Sequence, residues 1–135
     1  YLKMDKGLIG NDKIEEAVKA LQQEPSQEML AHTLTVIRRR MKENGQFIIA
    51  VEPPKADGRI NIQTIKTEDG NMWWVAFTSF DEELKGADSV KSTFLTDIDK
   101  LFEQACKTDE INGIIINPWN CTIMLDRELI KIILG

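Results

Sequence analysis

Apolar residues recur every three or four positions near the start of the chain, and this spacing predicts a short amphipathic helix over residues 12–23. Asp12 followed by Glu15 has the spacing of a capping box, in which each side chain bonds a free backbone N–H of the first turn. Pro25 ends the helix because it has no N–H to donate to a further turn. The chain is therefore expected to open with one helix of about three turns.

A second helix is predicted directly after the first, with Ser26 suited to its N-cap and Asn44-Gly45 to its C-terminal stop. Its apolar stripe consists of Leu30, Leu34, Ile37 and Met41. The basic run Arg38-Arg39-Arg40 falls in the last turns, where cations offset the negative end of the helix dipole. We expect these three arginines to form a solvated helix end.

Residues typical of β-strands follow the two helices. Phe47–Val51 is continuously apolar and is cut off by Pro53-Pro54, as a buried strand would be. Residues 60–64 alternate between apolar and polar, and a turn signal at Asp69-Gly70 leads into the apolar run Met72–Thr78. A meander of three antiparallel strands is the simplest interpretation.

The rest of the chain mixes helices and strands. An acidic helical turn at Asp81–Leu84 is expected to precede a longer helix that starts around Ser92. The apolar face of that helix would consist of Phe94, Ile98, Leu101 and Ala105, reinforced by Leu95 and Phe102. Gly113–Pro118 contains a short apolar strand of the kind buried on both faces. Residues 122–125 return as another strand, and Asp126 caps a last helix.

These elements predict an α+β fold in one domain that spans residues 1–135. We expect a mostly antiparallel sheet of about five strands, packed with two N-terminal helices, one central helix and a C-terminal helix. The helical part covers residues 11–43 and the sheet-containing part covers residues 46–135. A chain of 135 residues with 42% hydrophobic content is long enough to bury one core.

Charge argues against several classes of partner. The chain has 17 basic and 22 acidic residues, and its net charge of −5 arises entirely after residue 52. Binding to nucleic acid requires a basic face that neutralises phosphates, so nucleic acid is not an expected partner. No stretch approaches the roughly 18 apolar residues of a membrane span, and the N-terminus lacks a signal-peptide pattern. We therefore expect a soluble cytoplasmic protein with no membrane partner.

Side chains suited to catalysis are few. His32 is the one histidine and is expected at the surface of the second helix, away from the apolar stripe. Cys106 and Cys121 lack the paired spacing of a zinc site, and Cys106 is expected to pack as a small hydrophobe. The eight glycines are scattered and form no phosphate-binding loop. We expect no enzyme, no metal and no cofactor; an enzyme that uses Cys121 as a thiolate is the weakest hypothesis.

Aromatic and polar residues at two strand ends form the candidate binding site. Side chains alternate along Trp73-Trp74, so one indole faces the core and the other faces outward or lies under a covering helix. We expect the end of the strand at Phe77–Ser79 to lie beside the turn at Asn117–Cys121, with Asn117 extended because it precedes a proline. The predicted binding residues are Trp74, Thr78, Ser79, Asn117, Pro118, Trp119 and Asn120.

The run from Gly113 to Trp119, followed by Leu125 and an apolar helix, resembles the closing signature of the SseB-like N-terminal domain family, bacterial proteins named after enhanced serine sensitivity. The strand Phe47–Val51 before Glu52-Pro53, and Trp74–Ser79 before an acidic turn, agree with it in order. The resemblance implies an α+β fold and a bacterial cytosolic setting, and it supplies no reaction or catalytic residue. The chain departs from the pattern in having Trp119 and Cys121 in the final turn, and in a short or absent region after Leu134.

Two functions compete at this point. The first is a non-catalytic protein-binding module, an adaptor or a toxin-neutralising immunity-type binder, whose acidic charge favours a basic partner protein. The alternative is a domain that senses a small metabolite or an amino acid near Thr78, Ser79, Asn117 and Trp119, linked to serine metabolism through the family resemblance. A homodimer formed by pairing of edge strands also stays open.

Overall fold

The structure is a computed structural model that describes residues 6–51, 62–79, 92–118 and 122–135. A short 3-10 helix, Lys6–Leu8, precedes the longer elements. The helices are α1 (Asp12–Gln23), α2 (Gln27–Lys42), α3 (Ile98–Lys107) and α4 (Arg127–Leu134). The strands are β1 (Gln46–Val51), β2 (Thr64–Lys66), β3 (Met72–Phe77), β4 (Ser92–Asp97), β5 (Gly113–Ile116) and β6 (Ile123–Asp126). This arrangement confirms the predicted α+β fold.

The six strands form one mostly antiparallel sheet in the order β4-β1-β3-β5-β6. The pairing of β3 with β5 is parallel, and β2 pairs with β3 on the edge that β1 also uses. Both β1 and β5 are apolar on both faces and occupy interior positions, where a strand is covered from both sides.

The predicted meander is formed only in part. The start of β1 pairs directly with β3, with Ile48 opposite Phe77, which the prediction did not include. Further along β1, the middle segment lies between the two strands as predicted, because Gln63 donates its N–H to the Ala50 carbonyl (2.8 Å) and its carbonyl accepts from the Val75 N–H (3.1 Å). This segment then continues as β2, which pairs with β3. The apolar run of β1 explains the direct pairing, because contact with both β3 and β4 buries more of it than an edge position would.

The long helix predicted to start around Ser92 begins at Ile98 instead. Residues 92–97 form β4, which pairs with β1 at six consecutive positions. Serine, threonine and phenylalanine suit a strand at least as well as a helix, and the sheet partner decides between the two. Phe94 and Ile98 are four residues apart, which is the spacing of one helical face, but Phe94 is 50% exposed while Ile98 is buried. The buried face of α3 is otherwise as predicted, with Leu101, Phe102 and Ala105.

The main core lies between the helices and one face of the sheet. It includes Ile14 and Val18 of α1, Ile37 of α2, Phe102 of α3 and Ile130 of α4. Alternate residues of β1 and β3 point to the opposite face, where a smaller cluster forms. That cluster comprises Leu8, Ile48, Ala50, Val75 and Phe77. The alternation explains why β1 and β3 are apolar at nearly every position.

Three predicted helix boundaries are confirmed by their hydrogen bonds. The Ser26 hydroxyl accepts a bond from the backbone N–H of Met29 (3.1 Å), and an Asp126 carboxylate oxygen accepts one from Leu129 (2.9 Å). At the end of α2, Asn44 adopts a left-handed conformation with φ 66°, and the N–H of Gly45 bonds the carbonyl of Arg40. This is the Schellman pattern, which satisfies two carbonyls of the last turn.

The capping box predicted at Asp12 and Glu15 does not form. The N-cap residue is Asn11, whose side chain makes no cap hydrogen bond, and Asp12 is the first helical residue. The Asn11 side chain bonds two backbone carbonyls of the interior instead. Each helix in the described part of the chain is too short or too polar to cross a bilayer. The predictions for Pro53-Pro54 and for the acidic turn at residues 81–84 lie outside the described residues.

Candidate functional site

The ends of β3 and β5 meet at one edge of the sheet, because these two strands run parallel. Thr78 follows β3 and Asn117 follows β5, and the two side chains are hydrogen bonded to each other. The amide oxygen of Asn117 accepts a bond from the backbone N–H of Thr78 (3.0 Å), and its Nδ2 donates to the Thr78 hydroxyl (2.9 Å). The two strand ends therefore lie side by side, as predicted.

Asn117 is not extended as predicted. Its φ of 55° is in the left-handed region, which asparagine tolerates better than most residues. The two bonds to Thr78 hold the side chain, and the Thr122 hydroxyl bonds the Asn117 carbonyl (2.6 Å). The backbone N–H of Asn117 continues the ladder to the carbonyl of Ala76 (2.9 Å). These contacts outweigh the preference for extended backbone that the following Pro118 imposes.

The polar cluster extends from this edge into the helices. The hydroxyl of Thr78 donates to a carboxylate oxygen of Glu15 on α1 (2.6 Å). The Nδ2 of Asn11 bridges two backbone carbonyls, those of Gln46 (2.8 Å) and Thr78 (3.0 Å). Asn11, Thr78 and Asn117 are each at most 1% exposed. One cluster thus ties α1 to the ends of β3 and β5 and to the start of β1.

Arg40 completes the cluster, and its position corrects the expectation of a solvated arginine run. Arg38 and Arg39 are exposed, but Arg40 is only 6% exposed. Its Nε donates to the amide oxygen of Asn11 (3.0 Å), and its two terminal nitrogens contact the carbonyl of Gly7 and the carboxylate of Glu43. A buried guanidinium requires such partners because an unpaired charge in the interior is costly.

The sequence carried a signal for Arg40 and none for Asn11. Arg40 follows Ile37 by three positions and Thr33 by seven, so it lies on the buried stripe of α2 rather than on its outer face. Asn11 precedes α1 and resembles an ordinary capping residue. Its role depends on β1 and β3, which approach it only in the folded chain.

The other predicted binding residues are dispersed. Ser79 and Pro118 are half-buried next to Thr78 and Asn117. Trp74 lies about 13 Å further back along its strand and packs, half-buried, against the main core. Its neighbour Trp73 is buried on the opposite face, where its indole nitrogen donates to the Thr67 hydroxyl (3.3 Å). Trp119 and Asn120 lie outside the described residues, and the binding role of this edge stays a prediction.

His32 and Cys106 lie apart from this cluster. His32 is exposed on α2, as predicted. Cys106 is half-buried and packs against the main core, which confirms the expectation of a small hydrophobic side chain. Cys121 lies outside the described residues. These positions give neither His32 nor Cys106 a place in the polar cluster.

The opposite end of the sheet carries a group of exposed carboxylates. The N–H of Asn112 bonds the carbonyl of Met72 (2.7 Å), and the N–H of Arg127 bonds the carbonyl of Asn112, so the starts of β3 and β5 meet the end of β6. The loops at this end, together with the last residue of β6, contribute five exposed acidic residues. We call them the acidic end: Glu68, Asp69, Asp109, Glu110 and Asp126.

A polar depression of about 310 Å³ opens at the acidic end, and Asp109, Asp126 and Arg127 are among the residues that line it. The guanidinium of Arg127 donates to the backbone carbonyls of Ile111 (3.0 Å) and Thr108, and lies 3.7 Å from the carboxylate of Asp109. Lys66 and Lys107 are also exposed near this end. Counting Arg127 and these two lysines against the five carboxylates leaves the local charge negative.

Asp69 is held in its charged form. The Thr67 hydroxyl and then the backbone N–H of Asn71 donate to its carboxylate, and these bonds lower the pKa of Asp69 below its ordinary value of 3.8. A side-chain bond from Asn71 adds to the effect (2.9 Å). The hairpin between β2 and β3 thus presents a fixed negative charge.

Comparison with known proteins adds no relative. The chain matches no protein-family model, no curated protein and no solved structure. The likeness of Gly113–Trp119 to the SseB-like N-terminal domain family therefore stays a prediction from the residues. Any functional proposal for this chain consequently depends on the geometry of the polar cluster and of the acidic end.

Proposed function

We propose that this protein is a non-catalytic protein-binding module that holds a basic segment of a partner protein at the acidic end. The observation that carries the proposal is the set of five exposed carboxylates at one end of the sheet, two of which, Asp109 and Asp126, line a polar depression of about 310 Å³. An adaptor and a toxin-neutralising immunity-type protein would both use such a surface, and the net charge of −5 would speed the approach of a basic partner.

The chemistry of the depression suits an arginine or lysine side chain. Asp109 and Asp126 border it with exposed carboxylates, and a carboxylate accepts two parallel bonds from a guanidinium. Exposed carboxylates lose little hydration when a cation meets them at the rim. Their attraction extends about 10 Å at 0.1 M salt, so several of them act together on one basic segment.

The test is a titration with a synthetic peptide of alternating lysine and serine, followed by NMR amide shifts and by calorimetry. The same peptide with glutamate for lysine is the negative control. We expect shifts at residues 108–112 and 67–71, and at least a threefold loss of affinity in the double variant Asp109→Lys, Glu110→Lys.

A matched variant controls for net charge. Glu16→Lys with Glu24→Lys changes two exposed carboxylates at α1 and alters the total charge equally. It should retain most of the affinity. Equal losses in both double variants would show that only net charge matters, and the absence of any shift with the lysine peptide would refute the proposal.

Amino-acid sensing at the other end of the sheet is the alternative, and the structure gives it a specific requirement. The side chains of Thr78 and Asn117 are buried and bond to each other, so a ligand there would have to displace existing hydrogen bonds. A ligand at a hundred times its dissociation constant would raise the free energy of unfolding by about 2.7 kcal/mol. Thermal unfolding measured against a panel of amino acids, serine included, tests this function separately from the acidic end.

A further inference from the structure

A shallow apolar groove separates α2 from α4. It has a volume of about 190 Å³, and its lining includes Ala31, Leu34 and Arg38 of α2 and Ile132 and Ile133 of α4. Ile133 is buried, whereas Ile132 forms part of the groove wall and is 59% exposed. The same surface therefore carries both a protruding apolar side chain and an apolar groove.

Opposite charges lie at the two ends of α4 on this surface. Glu128 is in the first turn, one helical turn before Ile132, and its side chain is 83% exposed. Arg38 lies near the C-terminal end of α4. Its Nη2 is beside Gly135, 2.9 Å from the position that a Cβ on this residue would take. Arg38 makes no ion pair within the described residues, and Glu128 reaches Lys131 only at 4.0 Å. Both charges are therefore available to another molecule.

We infer that this surface, which we call the α4 face (Arg38, Glu128 and Ile132 with the groove beside them), binds a second copy of the chain across a two-fold axis. The two copies of α4 lie antiparallel, and each Ile132 enters the groove of the other copy. This inference concerns self-association, and it goes beyond the proposed binding of a basic partner.

The spacing along α4 supports the antiparallel arrangement. With a rise of about 1.5 Å per residue, Glu128 lies about 6 Å before Ile132 and Gly135 about 4.5 Å after it. If two copies meet at Ile132, antiparallel packing brings Glu128 of each copy to the end of the other helix, where Arg38 lies. A two-fold axis makes every such contact twice, so the face is complementary to itself in shape and in charge.

Charge distribution favours a second copy over a membrane surface. A bilayer surface favours a broad apolar face, whereas the α4 face pairs one isoleucine with a concave groove and carries both signs of charge. The antiparallel pairing also differs from a dimer formed through an edge strand such as β4, because the α4 face uses no backbone pairing.

Analytical ultracentrifugation of the whole chain at concentrations from about 1 µM to about 1 mM tests the inference. We expect a concentration-dependent rise to twice the mass of one 15.4-kDa chain. Arg38→Glu places like charges together twice in each dimer, and Glu128→Lys does the same, so each variant should weaken dimerisation at least tenfold. Lys19→Glu, an exposed charge reversal on α1, is the control and should dimerise as the wild type does.

The decisive measurement mixes the two interface variants. In a heterodimer of Arg38→Glu with Glu128→Lys, both charge pairs are again opposite in sign, so an equimolar mixture should regain the dimer that neither variant forms alone. Circular dichroism checks that each variant is folded, and Ile132→Ser should weaken the dimer without any change of charge.

Three results would overturn the inference. The first is a wild-type chain that remains monomeric across the whole concentration range. The second is a dimer that both charge variants leave intact, which would indicate another interface, for example the β4 edge. The third is a mixture that stays monomeric while each variant is folded. Glu128 also lines the depression at the acidic end, but Arg38 and Ile132 do not. Arg38→Glu and Ile132→Ser therefore test the α4 face independently of the basic peptide.

Discussion

Replacing Thr78 by valine tests whether the buried polar cluster stabilises the fold. Valine has nearly the shape of threonine, so the packing is kept while the hydroxyl is lost. That hydroxyl donates to Glu15 (2.6 Å) and accepts from the Nδ2 of Asn117 (2.9 Å). Glu15 is half-buried and can turn to water, whereas Asn117 is 1% exposed and would keep an unpaired donor.

The magnitude follows from these two bonds. A buried donor left without a partner costs about 1–3 kcal/mol, and a hydrogen bond to a charged group contributes about 1.5–3 kcal/mol before the carboxylate recovers water. We expect Thr78→Val to lower the free energy of unfolding by about 2–3 kcal/mol. Thr78→Ser keeps the hydroxyl and removes one methyl group, so it should cost only about 1 kcal/mol.

Urea unfolding followed by tryptophan fluorescence measures both variants. A double-mutant cycle with Glu15→Ala should give a coupling energy of at least about 0.5 kcal/mol between Thr78 and Glu15. Thr35→Val removes a similar hydroxyl bond from the exposed side of α2 and should change stability by less than about 0.5 kcal/mol. The reasoning fails if Thr78→Val is as stable as the wild type, or if serine is the worse replacement.

Three further predictions address other parts of the fold. Arg40→Met should lower the free energy of unfolding by about 3 kcal/mol, as measured by urea unfolding, because the oxygens of Asn11 and Gly7 lose their donor. Arg39→Met on the exposed side of the helix should be nearly neutral, and equal effects of the two substitutions would contradict this account. Gly113→Ala should lower the free energy of unfolding by about 1–3 kcal/mol, because its Cβ would overlap the carbonyl oxygen of Leu125. Asn112→Ala is the neighbouring control, and a fully stable Gly113→Ala would refute the close approach of the two strands. For Asp69, whose pKa is lowered on folding, the carboxylate stabilises the fold above its unfolded pKa and loses this effect as the pH falls through the folded pKa. The stability advantage over Asp69→Asn should therefore shrink from about pH 6 to about pH 2, and a constant difference would be evidence against it.

Several elements could be predicted because their signals are local. The caps at Ser26 and Asp126 depend on side chains that bond the backbone three residues on, and the apolar run of β5 is continuous over only four residues. The turn at Asn44-Gly45 likewise needs only a residue that tolerates a positive φ. Such features depend on neighbours along the chain, so the order of residues is sufficient to indicate them.

Other elements depend on residues far apart along the chain. Residues 92–97 suit a helix or a strand, and pairing with β1, more than forty positions earlier, decided for the strand. Arg40 lies on the buried stripe of α2, but its hydrogen-bond partners Asn11 and Gly7 come from a distant segment that only the folded chain brings next to it.

The same distinction between local and long-range signals applies to the candidate sites. The sequence by itself placed Thr78 and Asn117 at the ends of two strands, and it located the negative charge after residue 52. Only the tertiary structure decided that these two side chains are buried and bonded to each other, and that five of the carboxylates lie at one end of the sheet. The physical reason is that side-chain burial and charge proximity depend on which strands pair, and pairing joins segments that no local pattern connects.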